Sequence, residues 1–469
     1  SPQTVVGMTQ ENGKLHGLVQ GPFYDERETQ SPEARERALM AALPRALAHA
    51  RTRAPALGQQ LQAHDPASID SRAALATLPV VRKHELLAQQ QAARAGRSVA
   101  SVQTEGLVRS NTQNRRDAVS PEAPLPPALM DVFGGFSAIG WAEAARVFAS
   151  PGPIYEPESR RLDYWRFARA MFAAGFRPGQ LVYNCFSYHF SPAGSMMETA
   201  AHALGCTVFP GGTGQTEQQI QAMLDLAPAG YVGTPSFLKI LVDRADTMGV
   251  SLSLGHALVS GEAFPAALRD ALIDRGIAGY QAYGSADLGL IAFETPAREG
   301  LVLGEDIIVE IVRPGTGDPV PEGEVGEVVV TTLNPDYPLL RFGTGDLSAV
   351  LPGISPCGRT NTRIRGWMGR ADQTAKVRGL FVHPSQVADI ARRHPEVLRS
   401  RVVITSEAGA DRMVFKMEVR AQGEAAVRLS EQISQTVREV TKLRGEVICV
   451  GPGTLPPDGK VIEDVRPIS

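Results

Sequence analysis

QLVYNCF (residues 180–186), SMMETAAHALG (195–205), CTVFP (206–210), TEQQIQAMLDLA (216–227) and GYVGTP (230–235) follow one another with little between them. The first, third and fifth are short, apolar and rich in β-branched or aromatic residues, whereas the second and fourth repeat apolar residues at helical spacing. Strands joined by single helical stretches pair in parallel, because each crossover must carry the chain back to the end of the sheet where it started. The stretch therefore predicts an α/β fold with a mixed or mostly parallel sheet flanked by helices.

Reading outward, DIIVEIV (306–312) and GEVVVTTL (326–333) enclose a Gly/Pro-rich turn and predict a hairpin at a β-rich end of the same large domain. Toward the start, Ser31 and Pro32 cap ARERALMAALPRALAHA (34–50), and polar, Ala- and Gln-rich helical segments continue to about residue 97. Residues 1–97 are expected to form a mostly helical preface. After Gly366 the texture becomes polar and glycine-punctuated; VVITS and MVFKMEV then read as strands, and Leu429, Ile433, Val437 and Val440 share one helix face. The expected division is a large multi-part N-terminal domain, 1–368, and a small mobile α+β domain, 369–469.

A chain of 469 residues is too long for a single core, and its 43% hydrophobic, 21% charged composition is that of an ordinary globular protein. A net charge of -3 and a pI near 6.3 give no attraction to nucleic acid or anionic lipid, so neither partner is expected. Cys185, Cys206, Cys357 and Cys449 contain no CxxC pair, which argues against a disulfide framework or a structural zinc site. SPQTVVGMTQENGKLHG lacks the basic-then-apolar pattern of a secretory signal, and no apolar run reaches about 18 residues. The expected location is the cytoplasm.

Several chemistries are disfavoured by their missing motifs. No GxxxxGK[ST] is present, FGGFSAIG is one residue too long for a GxSxG elbow, and neither HExxH nor a close histidine pair offers a metal site. What remains is an ordered set of polar segments: SGEAFP (260–265), QAYGSADLG (281–289), RFGTGDL (341–347), GRADQTAKVRG (369–379) and PPDGK (456–460). In the third, Gly343-Thr344-Gly345 predicts a sharp corner presenting Asp346. Asp346 itself reads either as a turn aspartate bonding its own backbone or as an acceptor for a vicinal diol.

In this order and spacing, the segments resemble the adenylate-forming acyl-coenzyme A synthetases, and among them the phenylacetate-coenzyme A ligase family. IDSRAALATLPVVRKHELL (69–87), VFPGGTGQTEQQIQAM (208–223), GDPVPEGEVGEVVVTTL (317–333) and VHPSQVADI (382–390) extend the resemblance over nearly the whole chain. It implies ATP-dependent activation of an aromatic carboxylic acid to an acyl-adenylate, followed by transfer to coenzyme A. By the same resemblance Gly261, Glu262 and Ala263 would lie along adenine, Tyr283 would stack on it, and Gly284 and Ser285 would border the nucleotide. Asp346 would take the ribose hydroxyls, Arg370 the ribose or phosphate side, and Asp372 the hinge of the small domain. Lys460 would neutralise charge as the carboxylate attacks the α-phosphate, and Asp287 would hold Mg²⁺.

Two departures set this chain apart. Where the family has a serine-, threonine- and glycine-rich phosphate loop with a lysine, FASPGPIYEPES (148–159) has Pro151, Pro153, Ile154 and Glu156. Proline lacks an N–H and glutamate repels a triphosphate, so this loop should bind pyrophosphate oxygens poorly. In QAYGSADLG, Ala286 replaces a hydroxyl donor and Asp287 a longer carboxylate. The adenosine side thus looks intact and the triphosphate side eroded. Besides the working ligase, this leaves a non-catalytic paralogue binding AMP, acyl-adenylate or an aromatic acid, and an enzyme that passes the acyl group to an amine or carrier-protein thiol.

Phe186, Tyr188, His189, Phe190 and Phe237 are the candidate acyl pocket, since aromatic rings suit a flat aryl carboxylate; plain core packing is the competing reading. Tyr155 and Glu156 are a further possible contact to the ligand. The resemblance also suggests a homodimer.

Overall fold

The computed structural model describes residues 8–11, 14–18, 22–104, 132–371 and 373–467. Its largest sheet has nine strands, in the order Val350–Leu351, Arg363–Ile364, Leu301–Leu303, Gly289–Phe293, Ala278–Ser285, His256–Val259, Gly230–Gly233, Leu181–Asn184 and Thr207–Pro210. The five from Ala278–Ser285 to Thr207–Pro210 are parallel, as the strand–helix alternation predicts. After Ser285 the chain reverses through residues 286–288 into Gly289–Phe293, and the remaining strands are antiparallel.

Helices Ala193–Leu204, Thr216–Leu226 and Pro235–Thr247 supply the crossovers. The last begins at Thr234, whose hydroxyl accepts the Phe237 N–H, with Pro235 in the first turn where its missing N–H costs nothing. Two cores cover the sheet. One gathers Trp165, Phe167, Phe172, Met196 and Leu204, and the other Tyr183, Tyr231, Leu238 and Leu241.

A four-stranded sheet, Ile307–Val312, Gly326–Thr332, Phe342–Ser348 and Val81–Arg82, packs against helix Pro32–Arg53 through Leu43, Leu47, Val328 and Val330. The predicted hairpin at 306–333 is its centre. The preface is helical as expected from Ser31, whose side chain caps at Ala34 N–H. It also contains the antiparallel pair Met8–Glu11 and Lys14–Leu18, and it contributes Val81–Arg82 to the sheet in parallel with Phe342–Gly343. That contribution carries the start of helix Lys83–Thr104 to the strand that bears Asp346.

Residues 375–462 supply every member of a further core, including Phe415, Met417, Ile433 and Val437. There the strands Val397–Glu407 and Ala410–Val419 are joined by Glu446–Val450 and Ile462–Asp464, with helices Pro384–Arg392 and Gly423–Thr441 on the sheet. This is the α+β unit read from the sequence.

Two local expectations are corrected. Gly343–Gly345 is not a corner but part of strand Phe342–Ser348, in which only Gly345 has positive φ, +75°. A Cβ on Gly343 would lie 2.6 Å from the Arg82 guanidinium, which is paired with Glu327, and 2.9 Å from Val80 Cγ1, so a side chain there would have to displace both. Residues 148–159 are not a loose loop either: Ala144–Ser150 and Ile154–Ser159 form a hairpin closed by Pro151–Pro153. The β-branched and aromatic residues Val147, Phe148, Ile154 and Tyr155 suit strands better than a phosphate-wrapping loop.

Candidate active site

Asp346 is held in place by its own strand. Thr344 Oγ1 donates to Val328 O at 2.8 Å and accepts the Asp346 N–H at 3.1 Å, while the Gly345 N–H donates to Glu327 at 3.0 Å. The strand then meets the Gly-Arg segment through an isolated bridge, Asp346 with Arg370, and through Ala371 N–H donating to Gly345 O at 2.6 Å. Three side chains converge on the carboxylate. Tyr283 Oη donates to Oδ2 at 2.6 Å, and Trp367 Nε1 and an Arg370 Nη donate to Oδ1 at 3.0 and 2.8 Å. Burial, and then the Asp346 charge, push the Tyr283 phenol far above its ordinary pKa, so it stays a donor.

Two cavities meet at this carboxylate. One, of about 600 Å³, is lined by Gly261, Glu262, Ala263, Tyr283, Gly284 and Trp367; the other, of about 780 Å³, by Arg82, Lys83, His84, Ser285, Asp287 and Arg370; Asp346 borders both. Glu262 accepts from Ser236 N–H and Oγ at 3.3 and 2.9 Å, which ties the first cavity to the helix carrying Phe237. Lys460 lines neither. It borders a separate crevice of about 280 Å³ beneath the 313–325 turn, yet its Cε lies 3.9 Å from where a Cβ on Gly369 would sit, one residue from Arg370.

The five residues expected to form the acyl pocket, Phe186, Tyr188, His189, Phe190 and Phe237, line neither cavity at Asp346. Phe186 is buried with the cluster around Trp165 and Phe167, while the Tyr188 hydroxyl bonds Asn184 and Glu198. His189 takes part in a tight turn with Ser187, Phe190 is 82% exposed with φ +63°, and Phe237 packs beside Tyr183 and Tyr231. Asp372 lies outside the described residues.

Residues 163–334 match the family of AMP-binding enzymes. The chain is 34% identical to the phenylacetate-coenzyme A ligase of Thermus thermophilus over 302 residues, covering 61% of this chain and 68% of that one. With the ligase of the same name from Aromatoleum evansii it shares 31% identity over 323 residues, 65% and 72% of the two chains. The chain belongs to the phenylacetate-coenzyme A ligase family. Its fold is also that of a 2-hydroxyisobutyryl-CoA ligase solved in an open conformation, with a TM-score of 0.66, 22% identity and 95% of each chain covered.

Within this family member, the altered loop does not set a negative charge against the phosphate side in the way its sequence suggests. Glu156 is completely buried, and Ser150 Oγ donates to its Oε1 at 2.7 Å. Burial, then the Asp287 charge, push its pKa up to about 9, so at neutral pH it carries a proton and donates it to Asp287. That shared proton accounts for Glu156 Oε2 and Asp287 Oδ1, two buried atoms that otherwise have no partner. Asp287 Oδ2 faces Lys83 Nζ at 3.6 Å. Among the described residues no group of three or more His, Cys, Asp and Glu is arranged to hold a metal. A Mg²⁺ bound here would have to come with its phosphate oxygens, and Asp287 is the carboxylate that would hold it.

Trp367 is the residue that sequence reading missed. A carboxylate offers about four lone-pair sites, and three are already taken, two of them on Oδ1. A vicinal diol donating two hydrogen bonds must therefore displace one donor, and Trp367, 60% exposed, is the least enclosed. Saturating AMP should shift or quench the emission of Trp367, and Trp367→Phe should abolish the change although Trp141 and Trp165 remain. An unchanged emission at saturation would place the sugar elsewhere.

Proposed function

We propose that this ligase joins a small aromatic carboxylic acid to AMP with loss of pyrophosphate, then transfers the acyl group to coenzyme A. The observation that carries the reading is Asp346 at the junction of two cavities, with Tyr283 on one side and Arg370 and Ser285 on the other. A ribose held there sends its base into the first cavity and its phosphates into the second. The aromatic acid is supported by the names of the relatives.

In the first half-reaction a carboxylate oxygen bonds to the α-phosphorus as the bond to the bridging oxygen of pyrophosphate breaks. In the second, the thiol sulfur bonds to the acyl carbon and AMP leaves. Positioning and cations facing the charge on phosphorus carry such chemistry. Asp346 and Tyr283 fix the nucleoside, and Arg370 supplies a cation beside it. Lys460 is the second cation, brought by a C-terminal unit whose separate core lets it move as a body between half-reactions, with the boundary at 368/369.

Pyrophosphate release should appear when ATP is supplied with one of a panel of aryl acids. Lys460→Ala should lower that rate by about 10²–10³, the usual effect of losing one preorganised charge partner in a transition state, while leaving AMP affinity nearly unchanged. AMP binding without pyrophosphate release from any acid would make the chain a nucleotide-binding protein and remove the ligase reading.

A further inference from the structure

The β- and γ-phosphates of ATP need donors, and the segment expected to give them has few. Its turn presents Pro151 to the larger cavity, and Glu156 lies beneath, occupied with Ser150 and Asp287. The same cavity is also bordered by the first residues of helix Lys83–Thr104, which the pairing of Val81–Arg82 with Phe342–Gly343 brings there. Its cations differ in how firmly they are engaged. Arg82 is paired with the fully buried Glu327, and Arg370 with Asp346. Lys83 rests on Asp287 at 3.6 Å, beyond hydrogen-bond distance, with its side chain 45% exposed. His84 is exposed, with no hydrogen bond or ion pair among the described residues.

We infer that Lys83, with His84 beside it, holds the polyphosphate tail of ATP in place of the proline-bearing turn. This rests on the adenylation reading, because only a nucleotide whose ribose sits at Asp346 sends its phosphates into this cavity. Lys83 is suited to the task chemically: its ammonium is a compact charge on four flexible carbons, and Asp287 is where it rests while no phosphate is bound. Phosphate oxygens offer it charge-assisted bonds that the long contact to Asp287 does not. The first turn of a 22-residue helix adds N–H groups and a partial positive charge on the same side.

Calorimetric titration of the full chain with AMP, ATP and inorganic pyrophosphate separates the parts. The unmodified chain should bind ATP more tightly than AMP, and should bind pyrophosphate on its own. Lys83→Ala should weaken ATP and pyrophosphate by about tenfold, the loss of one charge-assisted contact, and AMP by less than about twofold. Lys83→Arg should recover part of the ATP affinity, and Lys83→Ala with His84→Ala should weaken ATP further. An unchanged ratio of ATP to AMP affinity in Lys83→Ala overturns the inference while leaving the adenylation reading intact. Loss of AMP together with ATP in that variant also overturns it, since Lys83 would then act through the fold. Failure of the unmodified chain to bind AMP would overturn the adenylation reading first, and this inference with it.

Discussion

Asp346→Ala is expected to weaken AMP binding by about a hundredfold or more, a larger loss of nucleotide affinity than Asp346→Asn or Lys83→Ala should cause. Two charge-assisted hydrogen bonds to the ribose are lost, each worth about 1.5–3 kcal/mol, of which about 2.7 kcal/mol already corresponds to a hundredfold. The substitution also strips Tyr283 of its acceptor and Arg370 of its ion pair, both in the wall that the nucleoside must meet. Asp346→Asn keeps the shape and one acceptor oxygen but not the charge, and its loss should be intermediate, about tenfold. Because Thr344 and Gly345 hold this strand through Val328 and Glu327, the backbone should survive both changes. Calorimetry with AMP, alongside Trp367 emission, reads the outcome. Full affinity in Asp346→Ala would remove the ribose from this carboxylate and with it the assignment of both cavities.

How far the sequence reaches can be judged from neighbouring elements. Residues 181–184, 207–210 and 230–233 were legible as strands because apolar runs of strand length stand between helices of clear period. Their antiparallel continuation was harder to read: Leu301–Leu303, Val350–Leu351 and Arg363–Ile364 are too short to show any alternation, and their pairing depends on distant segments. The roles proposed for Tyr283, Asp346 and Arg370 came from the order of the polar segments, and the fold brings Tyr283 and Arg370 each within hydrogen-bond distance of Asp346. Trp367 stayed hidden because one aromatic residue in a glycine-punctuated stretch has no pattern around it.

Lys83 stayed hidden for a different reason: what it faces is decided by a two-residue strand pairing far along the chain. At Glu156 the sequence was misleading. A glutamate in a turn-rich stretch reads as exposed, but it is tolerated in full burial because Ser150 and Asp287 satisfy it, and neither is visible from local residues. Aromatic residues such as Phe186 can line a pocket or fill a core equally well, and composition does not choose between them.

Arg341→Met is expected to cause the largest loss of stability, about 3–5 kcal/mol, by leaving the buried Glu310 carboxylate without its counter-charge. Arg341 is 1% exposed. Its Nε and an Nη donate to the two oxygens of Glu310 at 3.0 Å each, and the remaining N–H groups reach the carbonyls of Ala76, Leu78 and Gly317. One side chain thus ties the end of the short helix Arg72–Ala76, the 313–325 turn and the start of the Asp346 strand. Methionine fills similar volume but has no donors, so five acceptor oxygens lose partners in a place water does not reach. Adding Glu310→Leu removes the stranded charge and should restore a large part of the loss, because the deficit lies in the unpaired carboxylate more than in the missing bonds. The midpoint of the urea transition, followed by the emission of buried Trp165, compares the two variants with the parent. AMP affinity in Arg341→Met should fall as well, since the strand that leaves Arg341 is the one that presents Asp346. Equal midpoints for Arg341→Met and the parent would mean that the Glu310 carboxylate is solvated after all, and that this strand is anchored by its ladder alone.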